Sequence, residues 1–136
     1  MNSKYSLITL VLVGTLFFRQ NLHAQDDTSK MSGLQITEAK LGSNVEDRVL
    51  IGEDSTFNVN TKVFLWMRIT GGASDQIMVT WKFGATTHIT TLIVGGSPWR
   101  TWATKTVSKD GDWTVSVTDT SGRVLKEMMF KVLNEN

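Results

Sequence analysis

A chain of 136 residues without cysteine excludes disulfides, thiol nucleophiles, thiolate metal sites and a lipid-anchoring thiol, and its length suits one small domain with a single core. The formal net charge of +1 depends on Lys4 and Arg19; without residues 1–24, twelve Lys and Arg face thirteen Asp and Glu, a net of −1. A domain so balanced, with no basic patch in its sequence, sets nucleic-acid binding aside.

Residues 1–24 read as a signal peptide, with Lys4 as the basic start, the apolar run Leu7–Phe18, and Leu22-His23-Ala24 as the cleavage site. That run is twelve residues, short of the roughly twenty that cross a bilayer as a helix, and Arg19 ends it, so no stable membrane span is expected after cleavage. Export implies a periplasmic or secreted domain in a bacterial style. Residues 25–32, with Asp26, Asp27, Thr28, Ser29 and Lys30, are polar and aperiodic, which predicts a flexible tether.

From Gly33 onward (33–136) the pattern has period two, with no helical repeat. Strands are expected near Leu34–Leu41, Lys62–Ile69, Gln76–Phe83, Thr86–Val94, Trp99–Lys105, Trp113–Asp119 and Val124–Leu133, all enriched in Val, Ile, Thr, Phe and Trp. The breaks Gly71–Asp75, Phe83–Ala85, Gly95–Pro98, Lys109–Gly111 and Thr120–Gly122 carry turn residues, and Lys109–Asp112 reads as a hairpin turn. Seven such strands predict an all-β, antiparallel two-sheet β-sandwich of immunoglobulin-like architecture, with a small open barrel as the alternative. Ser43–Asn60 alternates poorly and is expected to form a loop folded over one sheet face.

Because alternate strand residues face opposite ways, parity sorts the five tryptophans. Trp81 shares a face with Ile77, Val79 and Phe83, and Trp113 with Val115 and Val117, so both belong in the core. Trp66 lies with Phe64 and Arg68, opposite Val63, Leu65, Met67 and Ile69. Trp102 lies with Arg100 and Thr104, opposite Trp99, Thr101 and Ala103. Both of these indoles are expected on an outer face beside an arginine.

Several short runs stand out along Ile36–Val132: Val45-Glu46-Asp47-Arg48, Phe57, Val63-Phe64, Gly71-Gly72, Trp81, Trp99-Arg100-Thr101, Gly111-Asp112-Trp113-Thr114-Val115, Gly122-Arg123-Val124-Leu125 and Phe130-Lys131-Val132. In these the chain resembles the bacterial domain-of-unknown-function family 2914, a set of exported or membrane-tethered domains. The resemblance implies a fold more than an activity. Where the family pattern has a histidine just before the Trp81 position, this chain has Val79 and Thr80, so no histidine-dependent chemistry is carried over.

Trp66, Arg68, Arg100 and Trp102 define a candidate recognition surface, since indoles stack on sugars or apolar groups and guanidinium grips carboxylate or phosphate bidentately. The same four residues also suit a purely structural ladder that stiffens the sheet or lies beneath the Ser43–Asn60 loop. Catalytic, cofactor and metal sites are not expected. His88 is the one imidazole after residue 24, in a threonine-rich strand, and Asp110-Gly111-Asp112 reads first as a turn rather than a calcium site. Neither Gly-Gly pair precedes a helix, so no phosphate loop is implied. The expected function is a non-catalytic interaction or accessory module whose partner is an envelope protein or a glycan. A carbohydrate-binding module is the alternative, and an enzyme using His88 with nearby carboxylates is the third reading.

Overall fold

Period-two alternation builds every long element of this protein. A computed structural model describes residues 33–135, so the expected signal peptide and tether lie outside the described residues. Ten strands are present: β1 (Gln35–Gly42), β2 (Asn44–Glu46), β3 (Val49–Ile51), β4 (Thr56–Asn58), β5 (Lys62–Thr70), β6 (Gln76–Phe83), β7 (Thr86–Ile93), β8 (Trp99–Thr106), β9 (Gly111–Asp119) and β10 (Val124–Leu133). The described residues contain no helix. All seven expected strands are found, and the other three lie in Ser43–Asn60, which was expected to be a loop. Strands of three residues are too short to show a period.

The strands form a three-stranded sheet in the order β1-β5-β8, a five-stranded sheet in the order β4-β10-β9-β6-β7, and a hairpin of β2 and β3. Neither larger sheet closes into a barrel. One pairing departs from the antiparallel expectation: β4 runs parallel to β10, with Phe57 opposite Val132. Lys109–Gly111 is not a hairpin turn, because β8 and β9 belong to different sheets and the turn carries the chain between them.

Both sheets turn their apolar faces into one core. From β5 come Val63, Leu65, Met67 and Ile69, and from β6 and β9 come Ile77, Val79, Trp81, Val115 and Val117, each no more than 1% exposed. Phe130 is the centre of an aromatic cluster. Trp113 stacks on it at 6.0 Å between centroids, while Phe57 and Trp81 meet it edge-on at 5.8 and 6.1 Å. The two edge-on contacts set the negative ring face against the positive edge, and all three add to the burial of apolar area. The indole N–H of Trp113 also donates to the Lys109 carbonyl at 2.9 Å, which ties the β8–β9 turn to the core. Met129 of β10 is exposed and Met128 packs against the core, so only one of the paired methionines fills it.

The β9–β10 turn is held by Asp119. Its Oδ1 accepts from the Ser121 hydroxyl at 2.6 Å and from the backbone N–H groups of Ser121 and Arg123 at 2.9 and 3.0 Å, and Oδ2 accepts from Arg123 Nε at 3.2 Å. These donors, the Ser121 hydroxyl foremost, favour the charged carboxylate and lower its pKa from 3.8 to about 2.

Two outcomes are expected. Trp113→Ala should destabilise the domain by roughly 3–5 kcal/mol in chemical denaturation, the usual cost of emptying a large aromatic site; a loss below 1 kcal/mol would show that the indole is not a core element. The depressed pKa of Asp119 contributes stability that is present above the unfolded value and lost as pH falls through the folded one. Stability should therefore decline between pH 3.8 and about 2, and the acid titration of Asp119→Asn should lack that component.

Candidate functional site

The antiparallel register of β5 and β8 runs unbroken from Lys62–Thr106 to Ile69–Trp99, placing Trp66 opposite Trp102 and Arg68 opposite Arg100. On the other side of β5, β1 sets Lys40 opposite Trp66 and Glu38 opposite Arg68, after a bulge between Ile36 and Glu38. The four candidate residues thus share the outer face of the three-stranded sheet, as parity predicts.

At Trp66 the structure takes the covered alternative, beneath the Ser43–Asn60 segment. Trp66 is only 7% exposed, because its indole N–H donates to the Arg48 carbonyl at 2.9 Å beneath the β2–β3 hairpin. Gly42 lets that hairpin fold back: a Cβ there would stand 2.8 Å from the Ile51 carbonyl oxygen and from the Leu50 side chain. Asp47 and Arg48 make the two-residue turn with φ of 50° and 65°. Two successive positive φ values suit the twist of a tight hairpin, but an L residue with a long side chain adopts them at a cost of roughly 1–2 kcal/mol. In this turn the Arg48 guanidinium stands 5.9 Å from the ring centroid of Trp99.

Between the hairpin and the sheet lies a cleft of about 580 Å³, lined on its polar side by Glu38, Lys40, Arg48, Glu53, Arg68 and Arg100. Trp66, Trp99, Val49, Leu50 and Pro98 supply its apolar walls, while Trp102 stands outside the lining. Lys40 and Glu38 pair at 3.4 Å. Arg48, Arg68 and Arg100 make no ion pair with any described carboxylate. Like charges directly opposite on neighbouring strands oppose pairing, so Arg68 and Arg100 work against the sheet that holds them.

Arg48 and Trp99 were missed from the sequence. Parity assigns Trp99 to the core side, and its ring does pack against the core, yet at the strand end it also reaches the cleft. Asp47-Arg48 lacks the Asn-Gly signature that announces such a turn. His88 is exposed on β7 opposite Trp81 and does not line the cleft. Asp112 pairs with Lys131 at 3.5 Å, and no group of three or more His, Asp or Glu suited to a metal ion occurs among the described residues. No helix among them is long and apolar enough to cross a membrane.

An open cationic cleft on one face of an all-β domain is the class of site present. Residues 74–132 match the model of the DUF2914 family, described as a protein of unknown function, which is the family that the sequence resembles. The match covers β6 to β9 and nearly all of β10, whereas the hairpin and its landmark Val45–Arg48 precede it. No curated protein matches the chain. Among solved structures, an alkylpurine DNA glycosylase from Pseudomonas fluorescens bound to DNA is similar over 74% of this chain and 30% of that one, at 11% identity and a TM-score of 0.48. The CARDB domain of a Pyrococcus furiosus protein in complex with di-metal ions aligns over 74% and 91% at 15% identity and a TM-score of 0.44. A β-glucosidase from Listeria innocua in complex with glucose aligns over 70% and 16% at 12% identity and a TM-score of 0.41. This chain therefore spans less than a third of the glycosylase and of the glucosidase.

Gly95 seats the Trp99 indole, since a Cβ there would meet three ring carbons at 2.6 to 2.9 Å. Gly95→Ala should push the ring outward, cost roughly 1–3 kcal/mol as overpacking does, and shift the Trp99 indole resonance in ¹H–¹⁵N spectra. An unmoved resonance with unchanged stability would contradict the seating of the ring.

Proposed function

We propose that this chain is a small exported, non-catalytic interaction domain of the bacterial envelope, an immunoglobulin-like sandwich that engages a partner protein through the cleft beneath the β2–β3 hairpin. The sandwich reading is supported by the division of β1, β5 and β8 from β4, β10, β9, β6 and β7, with chain crossings between these sheets after β4, β5, β7 and β8. Export is supported by the basic start and apolar run of residues 1–24. The binding reading rests on one observation above the others: the residues that break local rules, a strained Arg48 and an opposed Arg68–Arg100 pair, converge on one concave site. Local rules are broken at functional sites because the rest of the fold offsets the cost.

A groove favours a protein partner over a sugar platform. Stacking on sugar rings needs an open indole face, but Trp66 is buried and the Trp99 ring lies under Arg48. Trp102 remains half-exposed at the margin as an anchor, in keeping with the weight of Trp and Arg in interface energetics.

Capture from native envelope extract tests this. The purified protein should retain a specific protein partner, and the double variant Arg100→Ala, Trp102→Ala, verified as folded, should lose it. Loss of a captured glycan in its place would establish the carbohydrate reading, and identical capture by both forms would return these side chains to a structural ladder.

A further inference from the structure

We propose that the cleft is a carboxylate-binding site and that its occupant is an acidic peptide segment of the partner, docked with its carboxylates between Arg68, Arg100 and Arg48; this rests on the interaction reading above. The three guanidinium groups have no carboxylate of their own among the described residues, while Lys40, the fourth cation of the cleft, is held by Glu38. Glu53 is the one remaining acidic group on the lining. The vacant charge of the site is therefore positive, carried by groups whose planar forks match a carboxylate bidentately.

The register supplies an independent argument. Arg68 and Arg100 are direct cross-strand partners, so the empty site contains a repulsion that an anion bridging both guanidinium groups would relieve. A merely structural ladder would set a carboxylate opposite an arginine. The neighbouring strand does offer Glu38 opposite Arg68 in register, but the Glu38 carboxylate pairs with Lys40 at 3.4 Å.

Peptide is favoured over acidic sugar by the walls. Val49, Leu50 and Pro98 form an aliphatic rim, with Val49 52% exposed, which suits the methylenes and apolar neighbours of Glu or Asp side chains. Of the two indoles on the lining, Trp66 is buried and Trp99 has the Arg48 guanidinium over its ring.

The test is a calorimetric titration of the purified protein with a short, amidated Glu-rich peptide, its Gln counterpart, oligogalacturonate and inorganic phosphate, each at low and high salt. Arg68→Gln and Arg100→Gln are compared with Lys126→Gln, an exposed lysine of β10 outside the cleft. The Glu peptide should bind, weaken with salt, and lose at least about tenfold in affinity in either arginine variant, as expected when one charge-assisted bidentate contact is removed. Lys126→Gln should bind like the parent protein. Without ligand, Arg100→Gln should melt at the same temperature as the parent or higher, because a repulsion has been removed, whereas a ladder role requires it to melt lower.

Equal binding by Arg100→Gln and Lys126→Gln, or binding of no probe by folded protein, overturns the proposal. Arginine-dependent binding of oligogalacturonate or phosphate without the Glu peptide overturns the peptide occupant. If envelope capture is still lost in the Arg100→Ala, Trp102→Ala variant while no acidic probe binds, the ligand class fails and the interaction reading stands.

Discussion

The unbroken register between β5 and β8 is the constraint on which the rest of this face depends. One pairing decides two surfaces. It sends Val63, Leu65, Met67 and Ile69 into the core together with Ala103, and it brings Trp66 against Trp102 and Arg68 against Arg100 outside. A slip of one residue on either strand would exchange the two faces, placing guanidinium groups in the core and aliphatic side chains in water. Burial of the inner face is thus what holds an unfavourable outer arrangement in place.

The hairpin depends on the same register. With Trp66 fixed on β5, its indole N–H has a set position beneath Arg48, and the hydrogen bond fastens the turn over the sheet. The turn then directs the Arg48 side chain to Trp99, so a single residue touches both indoles of the cleft, one through its backbone and one through its guanidinium. Two sources of strain meet here: the left-handed backbone of Arg48, held by the hydrogen bond from Trp66, and the opposed arginines, held in register by the apolar core below.

Much of this was legible in the sequence, and what was not has specific causes. Long strands with Val, Ile and Thr in alternation are bounded by Gly-rich turns, so seven of them could be placed, and parity alone put Trp81 and Trp113 inside. Parity also put Trp66, Arg68, Arg100 and Trp102 on one face. It left open whether Trp66 lies beneath the Ser43–Asn60 segment, because that cover is a hairpin that pairs with itself over three residues and turns without glycine. The parallel addition of β4 to β10 is a tertiary choice, made by Phe57 reaching the aromatic cluster around Phe130, and it leaves no local signature. Trp99 shows the limit of alternation: at the end of a strand, an indole can pack on the core and still line a cleft on the other side.

If the outer face of β1, β5 and β8 is a working cleft rather than a stiffened sheet, the five tryptophans report it. The most direct measurement follows their indole N–H resonances in ¹H–¹⁵N spectra during addition of a Glu-rich peptide. A working cleft should give saturable shifts of the Trp66 and Trp99 signals, with the core signals of Trp81 and Trp113 left in place. Unmoved signals of Trp66 and Trp99 at saturating peptide, or shifts of equal size at all five, would contradict it.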